Sequence, residues 1–264
     1  ASRNQFGWST SFTFAHNSNE VTSVDFPATN AYSLADPRMA GTEKSFKKGY
    51  PTSALWTYRF AGIDDGSHGN AGQTLWYTSP VGAPEDEVTI SHTAQTANPE
   101  CLEYSGQRDP KIVSAIDNRF EWNGFHLSVL AAYYGGHVML ANPEVETFAG
   151  SYGTVASYFI DSWTPENQTA HPGWGEYSST SLGMEPSTGN NAVHKADFIK
   201  IRNIVLGYSF PREWLAPCRI NRANLQFQIN NPGFIWRANK INVDPETLGV
   251  SIPASYVFTL NLNM

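Results

Sequence analysis

The last third of the chain, residues 196–264, alternates between apolar and polar side chains along three consecutive segments. In the second segment the apolar side chains are Leu225, Phe227 and Ile229, and uncharged amides occupy the positions between them. The third segment keeps the alternation up to the last residue, Met264. Successive side chains of a β-strand leave opposite faces of the pleated backbone, so a period of two predicts strands.

Between Ala223 and Asn231 of the second segment, and along the whole third segment, the polar positions carry amides and hydroxyls instead of charged groups. Examples are Gln226, Gln228, Asn261 and Asn263. The wet face of a soluble antiparallel sheet usually carries lysine and glutamate. Strands of about ten residues with one apolar face and one uncharged polar face are typical of transmembrane β-barrels. The pattern therefore predicts an all-β fold built from antiparallel transmembrane β-barrel strands.

Composition is compatible with this interpretation. The chain has 264 residues and a net charge of −7, and only 16% of its residues are charged. It contains no apolar run near the length of about 18 residues that a membrane-spanning helix needs. Aromatic residues make up 13% of the chain, which fits either a β-rich core or the aromatic girdles of a barrel. The acidic balance and scattered basic residues argue against a nucleic-acid-binding surface.

Alternation of the same kind recurs earlier in the chain and predicts further strands at residues 5–16, 53–64, 71–78, 112–122 and 125–138. The last two form a predicted hairpin, because Asn123-Gly124 between them tolerates the positive φ angles of a two-residue type I′ turn. The chain as a whole predicts about eight or nine strands, in which tight turns alternate with long loops. The longest loop covers residues 142–195 and is rich in glycine, proline, serine and aromatic residues.

A search for catalytic and metal-binding motifs finds none. The histidines are scattered, and the sequence has no zinc-protease motif, nucleophile elbow or phosphate-binding glycine loop. Asp64-Asp65-Gly66 lacks the spacing and the distal glutamate of a calcium-binding loop, so it predicts a turn. Cys101 and Cys218 have no metal-binding spacing and are predicted to be two free thiols. We therefore predict a protein that is not an enzyme and has no cofactor or metal.

Aromatic residues in the irregular segments are the candidate ligand contacts, because flat rings stack on sugars or clamp peptides at low entropic cost. They are Trp76, Tyr77, Tyr104, Trp163, Trp174 and Tyr177. The alternative interpretation is that these rings pin loops together or belong to an interfacial girdle. The sequence leaves both interpretations open.

Seven segments, taken in order along the chain, resemble sequence blocks of the SusC-type (SusC/RagA family) TonB-dependent outer-membrane transporters. They are FGWSTSFTFAHNSNEV, GYPTSALWTYRFAGID, DNRFEWNGFHLSVLAAYYGGHVM, WTPENQT, ADFIKIRNIVLGYSFP, LQFQINNPGFIW and NVDPE. Each block alone is weakly specific, whereas the ordered set spans almost all of the chain.

The resemblance implies that residues 1–264 are the C-terminal portion of such a transporter β-barrel, with long extracellular loops and without the plug domain. The complete barrel of the family has about 22 strands around a plugged lumen. The implied location is the outer membrane of a Gram-negative cell. The implied partners are a SusD-like surface lipoprotein, TonB (through the missing N-terminal part), the rest of the barrel and plug, and outer-membrane lipid. The implied cargo is a glycan or an oligopeptide, and no chemical step is catalysed.

Two positions depart from the family's usual pattern. Barrels of this kind typically end in phenylalanine, whereas this chain ends in Met264, although the alternation still places that residue on the apolar face. Pro232 interrupts a strand pattern and is predicted to lie where the strand bends or ends.

Two other interpretations remain open at this level. The chain could be a complete small outer-membrane β-barrel with a structural or adhesive role, which fits the strand count but not the matched blocks. It could also be a soluble all-β carbohydrate-binding module, against which the uncharged polar faces argue. The choice between glycan and peptide cargo cannot be made from the aromatic residues, because both ligands use flat rings.

Overall fold

The computed structural model describes residues 5–36, 38, 41–94, 96–141, 163–168, 188–241 and 243–263. The strands in these residues are β1 (Gly7–His16), β2 (Ala54–Thr57), β3 (Phe60–Ile63), β4 (Thr74–Tyr77), β5 (Ile90–Ser91), β6 (Glu103–Gln107), β7 (Ile112–Trp122), β8 (Phe125–Gly135), β9 (Val138–Leu140), β10 (Val193–Lys195), β11 (Phe198–Ser209), β12 (Arg222–Arg237) and β13 (Ser255–Asn263). The α-helices are short, α1 (Ala31–Ala35) and α2 (Arg212–Leu215). The 3₁₀ turns are Glu43–Ser45, Glu85–Glu87, Pro99–Cys101, Asn190–Ala192 and Ala216–Cys218. No helix in the described residues combines the length and the apolar character needed to cross a membrane.

Six long strands form the main sheet in the order β1-β7-β8-β11-β12-β13. Every neighbouring pair is antiparallel. The spatial order therefore follows the order along the chain, with the intervening strands β2–β6 and β9–β10 excluded from this sheet. The fold class predicted from the sequence, antiparallel β-barrel strands, is confirmed by this sheet.

The connections within the main sheet are of two kinds. Strands β7 and β8 are joined by Asn123 and Gly124, with φ angles of 48° and 86°, as the predicted two-residue hairpin turn requires. A second short connection, residues 210–221, joins β11 to β12. The other three connections, residues 17–111, 136–197 and 238–254, are longer and alternate with the short ones. Short turns alternating with long loops are the connection pattern of an outer-membrane barrel.

The two faces of the main sheet differ in chemistry as the alternation predicts. The apolar face carries Trp8, Phe12, Phe14, Ile116, Phe120, Trp122, Phe125, Leu127, Ile204, Leu206, Leu225, Phe227, Tyr256, Phe258, Leu260 and Leu262. The polar face carries Ser9, Ser11, Thr13, Asp117, Arg119, Glu121, His126, Ser128, Asn203, Ser209, Asn224, Gln226, Gln228, Asn230, Ser255, Thr259 and Asn261. Aromatic rings on the apolar face pack across neighbouring strands, as Phe227 does with Phe258 at 4.6 Å between ring centroids. Their outer surfaces remain exposed, and Phe258 keeps 75% of its accessible area.

Strand β12 bends at Pro232 without ending there. Asn231 and Gly233 on either side of the proline have positive φ angles of 51° and 139°, and the register with β11 shifts between Ile201 and Asn203. Proline has no backbone N–H to donate to a sheet, which confines it to bulges, edges and strand ends. The predicted alternatives, bend or end, are thus decided in favour of a bend. Met264 lies outside the described residues.

The chain divides into two compact units, one formed by residues 1–17, 110–136 and 196–264 and containing the main sheet, the other by residues 18–109 and 137–195. The second unit contains three small antiparallel sheets, β2–β6, β3-β4-β5 and β9–β10. Its core packs Leu34, Trp56, Tyr58, Trp76 and Leu102 around the short helix α1. The side chains of β2 are buried on both faces, unlike the half-exposed strands of the main sheet.

The prediction of one strand over residues 53–64 is wrong. The segment forms two short strands, β2 and β3, separated at Tyr58 and Arg59. Tyr58 turns its backbone to another partner there: its N–H donates to the carbonyl of Thr188, and its carbonyl accepts from the N–H of Asn190. The second arm of the predicted hairpin also ends earlier than residue 138, at Gly135. The predicted strands at residues 5–16, 71–78 and 196–264 are confirmed within one to three residues of their bounds, Met264 excepted.

Candidate functional site

The polar face of the main sheet carries hydrogen-bonded side chains that link neighbouring strands. Ser128 Oγ donates to Asp117 Oδ1 at 2.8 Å, which joins β8 to β7. Asn203 Nδ2 donates to Asn230 Oδ1 at 2.8 Å, and Asn230 Nδ2 donates in turn to Ser255 Oγ at 3.1 Å. These contacts join β7 to β8, and β11 to β12 and β13, and they line the face with hydroxyl and amide groups, which is the surface expected of a wet barrel interior.

Near the short turns this face forms an open hollow of about 650 Å³. Charged and polar groups of β7, β8 and β12 line it, including Arg119, Glu121, His126, Ser128 and Gln226. Arg119 and Glu121 pair at 2.8 Å and both remain more than half exposed, so the pair adds little stability. The hollow therefore offers exposed charges and amides to a polar ligand or to a neighbouring protein surface.

Gly207 permits the closest side-chain packing in this hollow. The imidazole of His126 lies across Gly207 from β8 and reaches Gln226 on β12, with 3.3 Å between Nε2 atoms of the two side chains. A Cβ atom at position 207 would lie only 2.1 Å from two atoms of the His126 ring. A glycine is thus required at this position for His126 to cross the intervening strand.

A second polar cluster occupies the opposite part of the same face. Lys200 Nζ lies 2.7 Å from Glu246 Oε2, and Arg202 Nη1 lies 2.7 Å from Glu246 Oε1. Asp244 lies 3.8 Å from Lys200 and is fully buried. The cations also stack on rings, Lys200 at 4.8 Å from the centroid of Phe234. We call Lys200, Arg202, Asp244 and Glu246 the charge clamp.

The two cations of the charge clamp lower the pKa of Glu246. Burial raises the pKa of the Glu246 carboxyl, but the hydrogen bonds from Lys200 and Arg202 outweigh it, so that the pKa lies below the ordinary glutamate value. Lys200 is only 1% exposed. A buried ammonium group is tolerated only when it is paired, and Glu246 and Asp244 provide that pairing.

The turn predicted at Asp64-Asp65-Gly66 is present and is organised by one buried carboxylate. Asp64 accepts hydrogen bonds from the backbone N–H groups of Gly66, His68 and Asn70 at 2.8, 3.1 and 2.9 Å. His92 Nε2 lies 3.0 Å from the same carboxylate. Burial raises the pKa of Asp64, but these donors outweigh it and hold the pKa well below its usual range. The carboxylate therefore replaces the missing backbone acceptors of the β3–β4 loop.

The described residues contain no group of three or more histidine, cysteine, aspartate or glutamate side chains placed to hold a metal ion. Both cysteines are free thiols, Cys101 buried and Cys218 exposed. Cys101 belongs to the core of the second unit.

The aromatic candidates do not all lie in irregular segments as predicted. Trp76 and Tyr77 lie in strand β4, and Trp76 is only 1% exposed. Its ring packs against Tyr58 and Phe60, with centroids 6.3 and 5.7 Å away. The loop assignment of Trp76 and Tyr77 is therefore wrong, because contacts with distant residues draw this segment into the core. Burial leaves Trp76 almost no ring surface for a ligand.

Tyr104 lies in strand β6 instead of a loop, but its ring is 36% exposed. It packs against Tyr50 and Trp56, with centroids 5.0 and 5.8 Å away. Burial raises the pKa of Tyr104, and the neighbouring Tyr50 adds to this shift. Lys47 lies 5.4 Å from the centroid of Trp56 in the same cluster. Because Tyr104 remains partly exposed, a ligand-binding role for it stays a prediction.

Trp163 lies in the short described segment 163–168, where Thr164 and Asn167 bridge to each other. Trp174 and Tyr177 lie outside the described residues. A role in ligand binding stays a prediction for each of these residues.

The sequence search missed the charge clamp as a cluster. Its acidic members lie in the NVDPE block and its basic members in the ADFIKIRN block, both of which the sequence marks out. The signal that could have joined them is the pair of cations, because Lys200 and Arg202 are the charged residues of a strand that otherwise carries none.

Long antiparallel strands with one apolar and one polar face, linked alternately by short and long connections, define the wall of an outer-membrane type of β-barrel. Strands β1 and β13 are the edges of the main sheet, so the described residues form part of such a wall.

Known proteins resemble the chain in sequence and in fold. No family model matches the chain. In sequence it is 27% identical over 259 residues to a protein named TonB-dependent receptor P39 from Formosa agariphila, a match that covers 86% of this chain and 24% of that protein.

The fold is similar to that of solved structures of a peptide transporter named RagAB. One superposes with a TM-score of 0.70 at 22% identity and covers 97% of this chain and 27% of the other. The "closed-closed" and "open-open" states of the RagAB peptide importer give TM-scores of 0.68 and 0.67, at 23% and 22% identity and with the same 27% of the other chain covered. The resemblance to SusC/RagA-like TonB-dependent transporters is thereby confirmed. The chain spans about a quarter of the length of these relatives.

Proposed function

We propose that this chain forms part of the barrel wall of a SusC-like, TonB-dependent importer in the outer membrane of a Gram-negative cell. The complete protein takes up a nutrient through the barrel, together with a SusD-like surface lipoprotein, and TonB supplies the energy. Its role is transport without catalysis.

The observation that carries the proposal is the two-faced main sheet. Its apolar face leaves large rings exposed, such as Trp8 at 66% and Phe258 at 75%. Soluble proteins rarely expose so contiguous an apolar surface, whereas the outer band of a barrel faces lipid. Its polar face carries hydrogen-bonded amides and an open hollow, as a water-filled or plugged lumen requires.

Oligopeptides are the cargo we propose to test first, with glycans as the alternative. The proteins of similar fold are named as peptide transporters, and the polar face offers amide groups that match a peptide backbone. The exposed Tyr104 ring serves either ligand class, because both present a flat or amphipathic surface to an aromatic ring.

The test is deletion of the complete gene in its native bacterium, followed by complementation with the full-length protein. Uptake of fluorescent oligopeptides and of fluorescent oligosaccharides is measured with and without a protonophore, which removes the energy that TonB transmits. We expect uptake of one class to be lost on deletion, restored by complementation and abolished by the protonophore. Uptake that is unchanged by deletion, or insensitive to the protonophore, would overturn the proposal.

The proposed lipoprotein partner is tested separately. A tag on the full-length protein allows its extraction in mild detergent together with bound proteins. We expect a SusD-like lipoprotein to be recovered at a stoichiometry near one to one. Recovery of the barrel alone, from membranes that contain the lipoprotein, would contradict the partnership.

A further inference from the structure

The charge clamp lies on the polar face of the main sheet. Lys200 pairs in register with Ala132 of β8 on one side and with Phe234 of β12 on the other. All three therefore share the face that also carries Asn203 and Asn230. Arg202 occupies the register shift between Ile201 and Asn203 and reaches the same side, since it lies 5.2 Å from the ring of Tyr134.

The acidic partners come from the connection between β12 and β13. This segment leaves β12 at Arg237 and returns at Ser255. Instead of extending away from the sheet, it turns back, so that Asp244 and Glu246 contact Lys200. Two further contacts fix its path: Ala238 donates its N–H to the carbonyl of Asp197, and Arg237 Nη1 lies 3.4 Å from the carbonyl of Val243.

The returning segment is also closed on itself. Asp244 Oδ1 accepts from the N–H of Glu246 at 2.8 Å, and the carbonyl of Asp244 accepts from the N–H of Leu248 at 2.8 Å. A further bridge joins Asp244 to Gly249. The segment 243–246 is thus a preformed turn that the charge clamp attaches to the sheet.

The charged groups of the clamp are paired with each other and are not available to bind cargo. Glu246 accepts from both Lys200 and Arg202, and Lys200 is almost fully buried. A cation that is already paired and desolvated gains little from an anionic ligand. The cluster therefore acts on the position of the turn instead of binding cargo charge.

We propose that residues 243–246 form an inward-folded turn that narrows the transport path, and that Lys200 and Arg202 are positioning residues that hold it there. Because the polar face borders the path in the proposed importer, the turn limits the size of the cargo that passes. This inference rests on the proposed function. It adds a size-selecting element to the barrel wall.

The position of the turn is tested first in the full-length protein in outer-membrane vesicles. Cys218, the exposed thiol of the chain, is replaced by serine, and Ala132→Cys provides a reporter beside Lys200, at a position that is 6% exposed. The rate of maleimide labelling at position 132 is measured after subtraction of the same protein without the reporter. Glu246→Gln removes the acidic partner, Lys200→Met removes the basic one, and Lys240→Met changes an exposed lysine of the same connection as the matched control.

We expect labelling to rise by about tenfold in Glu246→Gln and in Lys200→Met, because loss of a charge-assisted contact shifts an opening equilibrium by about that factor. The double variant should label no faster than the faster single variant, since both changes break one contact. Lys240→Met should label as the parent does. Heat-modifiable mobility on a gel verifies that each variant is folded. If labelling is unchanged in both folded clamp variants, the proposal that the clamp holds the turn is overturned.

The selecting role is tested by uptake of short and long cargo of one chemical class. We expect the ratio of long-cargo to short-cargo uptake to rise several-fold in the clamp variants, with Lys240→Met unchanged. If labelling rises but the ratio stays constant, the turn moves without selecting and that part of the inference is wrong. If the parent protein shows no uptake, the proposed function fails, while the labelling experiment still decides whether the clamp holds the turn.

Discussion

A single arginine placed on either side of strand β11 distinguishes a membrane-spanning sheet from a soluble one. Ile204 and Val205 are neighbours in the chain and leave opposite faces of the sheet. Ile204 pairs with Val129 and Ile229 on the apolar face. Val205 pairs with Ser128 and Gln228 and lines the polar hollow. We expect Ile204→Arg to destabilise the inserted protein strongly and Val205→Arg to have little effect.

The magnitude follows from the position of the residue along the strand. Strand β11 has 12 residues, which span about 40 Å at about 3.4 Å per residue. At a barrel tilt of about 40° this is about 30 Å along the membrane normal. Ile204 is close to the middle of the strand and hence to the bilayer midplane. An arginine on the lipid face at that depth costs about 2–4 kcal/mol, whereas lumen-facing substitutions mainly tune selectivity.

The assay is reversible unfolding of the full-length protein in lipid vesicles by urea, followed by tryptophan fluorescence. The quantity compared is the free energy of unfolding of each arginine variant relative to the parent protein. A difference of about 2–4 kcal/mol between the two variants is the expected result. Val205→Arg is the matched control because it introduces the same side chain one residue away.

The reasoning is refuted if the two variants differ by less than about 0.5 kcal/mol, the usual scatter for surface substitutions. That result would mean that the apolar face contacts water or protein in place of lipid. Recovery of the parent protein from the soluble fraction without detergent would lead to the same conclusion. Both results would favour the soluble β-module over the barrel.

Three further predictions concern the turns and the clamp. Asp64→Ala should lower the free energy of unfolding by about 2–3 kcal/mol, because three backbone N–H groups lose a buried, charged acceptor. Limited proteolysis between β3 and β4 reports this, with Asp65→Ala as control, and equal cleavage of both variants would exclude the role of Asp64. Gly124→Ala should cost about 1 kcal/mol in urea unfolding, since an alanine is strained at a φ of 86°, whereas Gly7→Ala should be neutral because its added Cβ meets Glu121 at an ordinary 3.6 Å. The pKa of Glu246 is depressed in the folded state, so the stability that Glu246 contributes is present above the ordinary glutamate pKa of 4.5 and is lost as the pH falls below it. The labelling rate of Ala132→Cys, divided by that of unfolded protein at the same pH, should therefore rise only in that acid range. A constant ratio down to about pH 3 would contradict the assignment.

The sequence predicts well those elements whose signal is local. The hairpin of β7 and β8 follows from alternation and from Asn123-Gly124, because the turn requires only the φ angles of its own two residues. The three strands of the last third follow from alternation over long runs. The alternation of apolar and polar residues is visible wherever the two faces of a strand meet different environments. The strands of the main sheet have two such faces.

Elements that depend on distant residues could not be predicted in the same way. The break between β2 and β3 arises because Tyr58 pairs its backbone with Thr188 and Asn190, about 130 residues away. Trp76 looks like a loop aromatic until its contacts with Tyr58 and Phe60 are known. The alternation over residues 53–64 gives no sign of these long-range contacts, and β2 is buried on both faces, so the pattern does not show where the strand ends.

The candidate site follows the same rule. The amide face can be predicted from the sequence because its amide residues recur at every second position. The charge clamp joins positions 44–46 residues apart, Arg202 and Lys200 with Glu246, and a contact at that separation leaves no periodic trace. Only Lys200 and Arg202, the two cations of a strand with no other charged residue, indicate that an acidic partner approaches from elsewhere.

The bend at Pro232 has a consequence for the neighbouring strand. The pairing of β13 with β12 ends at Asn230 and Ser255, although β12 itself continues to Arg237. Position 232 has no N–H, and the backbone on both sides of it is left-handed, so β12 cannot continue its regular hydrogen bonding with β13 beyond this point. The chain beyond is thereby released from sheet pairing, and residues 238–254 have enough slack to turn inward. Because the pairing with β13 ends at Asn230 while β12 continues to Arg237, the bend supplies the length of chain from which the inner surface of the barrel is shaped.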